Sequence, residues 1–238
     1  MRRAVLFLLL IALPSVAPSI AQWRSDVARR VAVVGDLSTA RDVVVLVPGS
    51  DVDVGRFERT VGRMASNLYE QAHRDDLAVI AWLGYRTPQG LGVDAMTGSL
   101  ARRGADALVD FVRSLRTRAR VHVVGHSYGS VVVGLAAHEL DVADVVFTGS
   151  PGVRADSVAE LGTGARVWAL RSSGDWMRFV PNARLFDLGH GTDPASDGFG
   201  ATVLRFEGGK HDTYYEPGSE TLNALVRIAS GSGSGEKL

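Results

Sequence analysis

One serine in this chain sits where a nucleophile would be made. Gly125-His126-Ser127-Tyr128-Gly129 directly follows the apolar stretch Val121-His122-Val123-Val124 and directly precedes Val131-Val132-Val133-Gly134-Leu135-Ala136-Ala137. A strand that enters a helix through so short a turn must reverse sharply. The reversal forces the serine into a strained conformation and exposes its Oγ, while glycines on either side let strand and helix approach closely. The new helix also begins with free N–H groups that favour a developing anion. With 27 glycines in 238 residues a G-x-S-x-G match alone is weak, so its strand–helix setting carries the weight.

Such a serine needs a base, an orienting acid and oxyanion donors, with the acid and then the base later in the chain. Asp175 ends Val167-Trp168-Ala169-Leu170-Arg171-Ser172-Ser173-Gly174-Asp175, just past a later strand. Its competing role is a helix N-cap. Asp144 lies at the entrance of its strand, the wrong end, and Asp156 lies deep in a loop. His211 follows Thr202 to Phe206 through Glu207-Gly208-Gly209-Lys210 and is the expected base. His190 is its rival but precedes the last strand. His73 and His138 read as surface residues, His122 starts a strand, and His126 is expected to pack. The oxyanion donors expected are the amide of Tyr128, next after the nucleophile, and that of Ser50 in Pro48-Gly49-Ser50-Asp51, with Asp51 as the fallback.

The elements that must hold these residues alternate. Val43 to Val47 is a β-branched run expected of a strand buried on both faces. Arg56 to His73 has helical spacing, with Phe57, Val61, Met64 and Leu68 on one side. Further strands are expected at Leu77 to Leu83, Val121 to Val124, Val145 to Thr148, Val167 to Leu170 and Thr202 to Phe206. Helices are expected at Ser99 to Leu115, Gly129 to Leu140 and Glu216 to Ala229, and a polar helical lead-in at Gln22 to Ala40. Alternation of this kind implies right-handed crossovers and an α/β fold, a mostly parallel sheet with helices on both faces. The segment from Ser150 to Arg166 is too short for a separate cap domain.

Composition narrows the classes. Lys+Arg and Asp+Glu number 26 each, so no basic excess points to nucleic acid. Hydrophobic residues at 46% and charged residues at 22% are ordinary for a globular domain. Cysteine is absent, which removes disulfides, thiol catalysis and Cys-type zinc sites. At the N-terminus, Arg2-Arg3, the apolar run Ala4 to Leu13, Pro14 and Ser19-Ile20-Ala21 read as a cleaved signal peptide over residues 1–21. An uncleaved anchor is the rival, although two prolines leave the apolar stretch short for a membrane span. A secreted or cell-envelope location is expected, with one domain over residues 22–229 and a flexible Gly/Ser tail over residues 230–238.

From about Gly35 to Ala229 the chain resembles α/β-hydrolases with a serine nucleophile, and more narrowly an actinobacterial-type family of them. The resemblance rests on Val47-Pro48-Gly49, Trp82-Leu83-Gly84-Tyr85, Gly125 to Ser130 and Gly149-Ser150-Pro151-Gly152. It rests also on Gly191-Thr192-Asp193-Pro194, Phe199-Gly200-Ala201 and the ending from His211 and Tyr214 to Pro217-Gly218-Ser219-Glu220. It implies hydrolysis of a small-molecule or lipid ester, less often an amide or thioester, through an acyl-enzyme with no metal or organic cofactor. Acyl transfer to an alcohol, or silent binding on the same fold, are the alternatives. The oxyanion loop departs from the pattern, with Pro48 before Gly49 where many relatives carry His.

Other residues invite simpler readings. Asp51 with Asp53, and Asp193 with Asp197, lack calcium-loop spacing and are expected to cap turns. The Gly-rich loop 84–98 is followed by no phosphate-binding Lys and is expected to rim a pocket with loop 176–200. Trp82, Tyr85, Trp176 and Met177 are expected either to line that pocket or to pack.

Overall fold

A computed structural model describes residues 29–231. The proposed signal peptide and most of the Gly/Ser tail lie outside these residues. The strands are β1 (Arg30–Gly35), β2 (Asp42–Val47), β3 (Leu77–Leu83), β4 (Arg120–His126), β5 (Asp144–Thr148), β6 (Arg166–Ser172) and β7 (Thr202–Phe206). They form one sheet in the order β1-β3-β2-β4-β5-β6-β7, with β1 antiparallel to β3 and the other pairs parallel. The helices are α1 (Arg63–Ala72), α2 (Val93–Met96), α3 (Ser99–Ser114), α4 (Gly129–Ala136), α5 (Val158–Leu161) and α6 (Glu220–Ala229).

The β2 run shows why the layers form. Val43, Val45 and Val47 pack with the α3 and α4 side chains on one face, while Val44 and Leu46 pack with α1 and α6 on the other. Alternate residues of one strand therefore serve two cores, and a continuous apolar sequence is what that position demands. Only the four-residue α5 interrupts the β5–β6 connection and only a 3₁₀ turn at Trp176–Phe179 the β6–β7 connection, so no cap domain covers the sheet edge.

Four boundaries differ from the sequence expectation. Residues 30–35 of the lead-in form an edge strand rather than a helix, because Val31-Ala32-Val33-Val34 finds a partner in β3, with Val31 opposite Trp82. The Arg56–His73 segment opens with a π-helical turn over Glu58–Gly62 before α1 begins. The helix after Tyr128 ends at Ala136 and finishes in a 3₁₀ turn. The last helix starts at Glu220, since Pro217-Gly218 turn the chain and Ser219 Oγ accepts from the Leu222 amide as N-cap. Among the described residues no helix is long and apolar enough to cross a membrane.

Candidate active site

Ser127 occupies the turn between β4 and α4 with φ of +53°, a left-handed conformation that costs a non-glycine residue about 1–2 kcal/mol. Its amide donates to Thr148 O at 2.9 Å, tying the turn to the end of β5. Both flanking glycines are sterically required. A Cβ on Gly125 would lie 2.7 Å from Gly129 O, and one on Gly129 would lie 2.3 Å from Val47 O.

Parallel strands deliver the expected partners to the same sheet edge. His211, in the loop after β7, places Nε2 at 2.9 Å from Ser127 Oγ and Nδ1 at 3.0 Å from Asp175 Oδ1. Asp175 follows β6 and stands in both positions weighed for it, beside His211 and at the N-cap of the 3₁₀ turn. Its Oδ1 also accepts from the Met177 amide at 2.9 Å, capping the 3₁₀ turn. Its Oδ2 accepts from Tyr214 OH at 2.8 Å. Burial pushes this carboxyl upward, but the bonds from His211, Met177 and Tyr214 outweigh it and hold the group at about 2. Asp175 is therefore an anion that accepts three hydrogen bonds, two on Oδ1 and one on Oδ2, and His211 is presented to Ser127 with its Nδ1 proton fixed.

Several supports were not singled out as site residues from sequence. Tyr214 links the acid to β6 by accepting from the Ser172 amide at 3.0 Å. Its presence in the terminal Tyr214-to-Glu220 pattern was the available signal. Gly149, at φ +55°, leaves room where a Cβ would stand 2.9 Å from Asp175 Oδ2 and 3.0 Å from His211 Nδ1. Arg171 is buried with its NH2 on Asp193 Oδ1 at 2.7 Å and its NH1 4.0 Å from Asp175 Oδ2, which adds positive charge behind the acid. His126 packs as expected, its ring 5.0 Å from that of His211. Burial and then the charge of His211 lower its pKa to about 3, so it is neutral near pH 7.

The rival residues go elsewhere. His190 Nε2 donates to Ala95 O at 2.7 Å. Asp144 lies at the opposite sheet end, 2.7 Å from His122 Nδ1 and paired with Arg166. Asp156 binds Thr192 Oγ1. Asp53 caps the Arg56 amide, Asp193 the Ala195 amide, and Asp197 pairs with Arg205.

The β2 loop reaches the nucleophile directly. A Cβ on Gly49 would meet Ser127 Cβ at 2.7 Å, and Tyr85 OH holds the loop through Pro48 O at 2.6 Å. The Asp51 amide is spent on Pro88 O at 2.8 Å, which removes the fallback donor. Among the described residues, the amides of Ser50 and Tyr128 take no protein acceptor. Both residues line a cavity of about 1080 Å³ that also contains Ser127 and His211. Trp176 and Met177 belong to this cavity, whereas Trp82 is core and Tyr85 is a buried anchor. Leu91, Met96, Val180, Leu185 and Leu188 make an apolar wall, and the cavity is also lined by Arg56 just before the π-helical turn, Arg59 within it and Arg63 at the start of α1.

Comparison with known proteins speaks to the family and the fold. A family model described as Alpha/beta hydrolase matches residues 25–185. An uncharacterised protein of Mycobacterium tuberculosis is 34% identical over 244 residues, covering 86% of this chain. The chain spans only 37% of that relative's length. A Xanthomonas campestris structure described as an α/β serine hydrolase without lid has a TM-score of 0.51 at 16% identity, covering 85% of this chain and 86% of its own. The structure of an esterase designated PE8 has a TM-score of 0.54 at 14% identity, covering 86% and 99%. At those identities the two structures speak for the fold, and the sequence-level match settles the family: this chain belongs to the alpha/beta hydrolases.

Proposed function

We propose that the chain is a secreted serine hydrolase that cleaves carboxylic esters through an acyl-enzyme. The observation that carries this reading is the unbroken hydrogen-bond chain from Asp175 through His211 to Ser127 Oγ, opening on a large cavity. His211 Nε2 takes the Oγ proton as Oγ bonds to the ester carbonyl carbon. The amides of Tyr128 and Ser50 stabilise the oxyanion, and Asp175 stabilises the imidazolium. The imidazolium then protonates the departing alkoxide. Water, deprotonated by the same histidine, attacks the acyl-enzyme, and Ser127 recovers its proton as the acid leaves. No step calls on a metal or organic cofactor. The esterase and serine hydrolase descriptions of the structural neighbours support an ester substrate, and residues 1–21 support export of a domain spanning residues 22–229.

Turnover of short p-nitrophenyl esters and labelling by a fluorophosphonate test the reading. The parent protein should do both and Ser127→Ala neither, with kcat lower by about 10⁴-fold or more. An inert parent, or full labelling of Ser127→Ala, overturns it. Added alcohol acceptors separate hydrolysis from acyl transfer, since a transferase would return the acylated alcohol instead of free acid.

A further inference from the structure

Among the described residues, eight of the ten large apolar side chains most exposed to solvent fall within segments 91–96 and 176–188. The two segments form one surface. Gly189 N donates to Met96 O at 2.8 Å, and Thr97 pairs with Leu188 as an isolated bridge. Leu91, Leu185 and Leu188 line the cavity, so substrate contact accounts for them. Val93, Phe179 and Phe186 are not cavity-lining residues, yet Phe179 is 73% and Phe186 93% exposed. Apolar side chains held in water in one contiguous area mark a surface that meets another apolar phase.

Charge around this area identifies that phase. Arg56, Arg59 and Arg63 line one side of the cavity, Arg178 and Arg184 lie within the apolar segment, and Arg86 is exposed in loop 84–98. None pairs with a carboxylate among the described residues. The guanidinium groups of Arg56, Arg178 and Arg184 donate to the carbonyls of Asp51, Ser173 and Arg154, and that of Arg178 also lies over the Phe179 ring, 4.6 Å from its centroid. The acids nearby are Asp51, Asp53, Asp94, Asp212 and Glu216, while Glu58 is occupied by Arg30 and Asp187 by Arg102 and Arg154. Exposed aromatic and aliphatic groups beside an excess of unpaired arginines match an interface of acyl chains under anionic headgroups.

We infer that the cavity rim formed by segments 91–96 and 176–188 docks on an anionic lipid surface. Val93, Phe179 and Phe186 would enter the acyl region while the arginines meet the headgroups. Choosing a lipid over a protein partner rests on the ester-hydrolase reading, because the outer apolar patch continues along the chain into the apolar cavity wall. An acyl chain could then pass from the surface to Ser127 without crossing water.

The absence of cysteine from the sequence makes a site-specific test direct. Phe186→Cys in the full chain, labelled with an environment-sensitive fluorophore, reports the rim, and Asp110→Cys on the exposed side of α3 serves as control. With phosphatidylglycerol-containing vesicles the Phe186→Cys emission should shift to the blue and be quenched by spin-labelled acyl chains. Asp110→Cys should show neither. Partition onto these vesicles should be about tenfold or more stronger than onto pure phosphatidylcholine, and high salt should lower it. A probe at position 186 that stays in water on both vesicles overturns docking. Equal insertion into both overturns the anionic preference, and a lipid-free blue shift that grows with protein concentration assigns the patch to a second copy. Soluble ester turnover by the same labelled protein is read separately. Insertion lost with turnover retained removes only the docking, whereas insertion without turnover removes only the hydrolase reading.

Discussion

His211 Nε2 stands 2.9 Å from Ser127 Oγ although the two residues are 84 positions apart in the chain. The approach is set by β4 and β7 ending at the same edge of one sheet, with β5 and β6 between them. Ligand sites of open parallel sheets form beyond the carboxyl ends of the strands for this reason. The rigidity of the strands converts into the precision of the pair.

The Ser50 amide, unlike its side chain, should matter to the reaction. Ser50→Ala keeps the N–H and should leave kcat close to the parent value. Ser50→Pro removes it and should lower kcat by about 100-fold or more, the usual cost of one oxyanion donor. Steady-state kinetics on a p-nitrophenyl ester decide the matter. Equal activity in the two variants would assign the donor elsewhere.

Gly149 has no group to offer chemistry, yet its replacement should be costly. Gly149→Ala puts a Cβ 3.0 Å from His211 Nδ1 at a positive φ. The imidazole must shift, so kcat/KM should fall by about 100-fold, and stability should drop by about 1–2 kcal/mol. A crystal structure of an active Gly149→Ala variant with His211 unmoved would contradict this.

Two titrations should shape acid stability. The lowered pKa of His126, about 3 against an ordinary 6.5, means the unfolded chain binds a proton that the folded chain refuses. Stability should therefore fall as pH drops from about 6.5 towards 3, with a slope near 1.4 kcal/mol per pH unit. Asp175 acts lower. Its folded value of about 2 against 3.8 stabilises the protein above pH 4, and that contribution disappears as pH falls through about 2. Urea unfolding across pH should show His126→Gln flattening the upper limb and Asp175→Asn the lower one. A parent curve level from pH 7 to 4 would remove the His126 account.

At the far end of the sheet His122 bridges two buried carboxylates, with Nδ1 2.7 Å from Asp144 Oδ2 and Nε2 3.3 Å from Asp42 Oδ1. Arg74 and Arg120 close the cluster on Asp42, and Arg166 with Trp168 Nε1 on Asp144. Removing one member of such a buried set typically costs about 3–5 kcal/mol. His122→Ala should lower the denaturant midpoint accordingly while kcat/KM at low temperature stays within about twofold of the parent, because the site lies at the opposite strand ends. A large loss of activity in fully folded His122→Ala would show coupling across the sheet.

Local signals were sufficient for much of this molecule. The apolar runs of β2 to β6, the glycine-flanked Ser127 between an apolar strand and an apolar helix, and Asp175 and His211 each just past a strand could be read from neighbouring residues. Composition and spacing act over a few positions, and strand, turn and helix respond over the same range. Tertiary structure decided what depends on distant partners. The lead-in carrying Val31 to Val34 becomes strand β1 only because β3 offers an edge some fifty residues later. Tyr214 becomes the second donor to Asp175, Asp51 loses its amide to Pro88, and Gly149 becomes necessary only when β5, β6 and the His211 loop are packed together. Each is a hydrogen bond or a volume shared between elements far apart in the chain, and no local pattern encodes the distance between them.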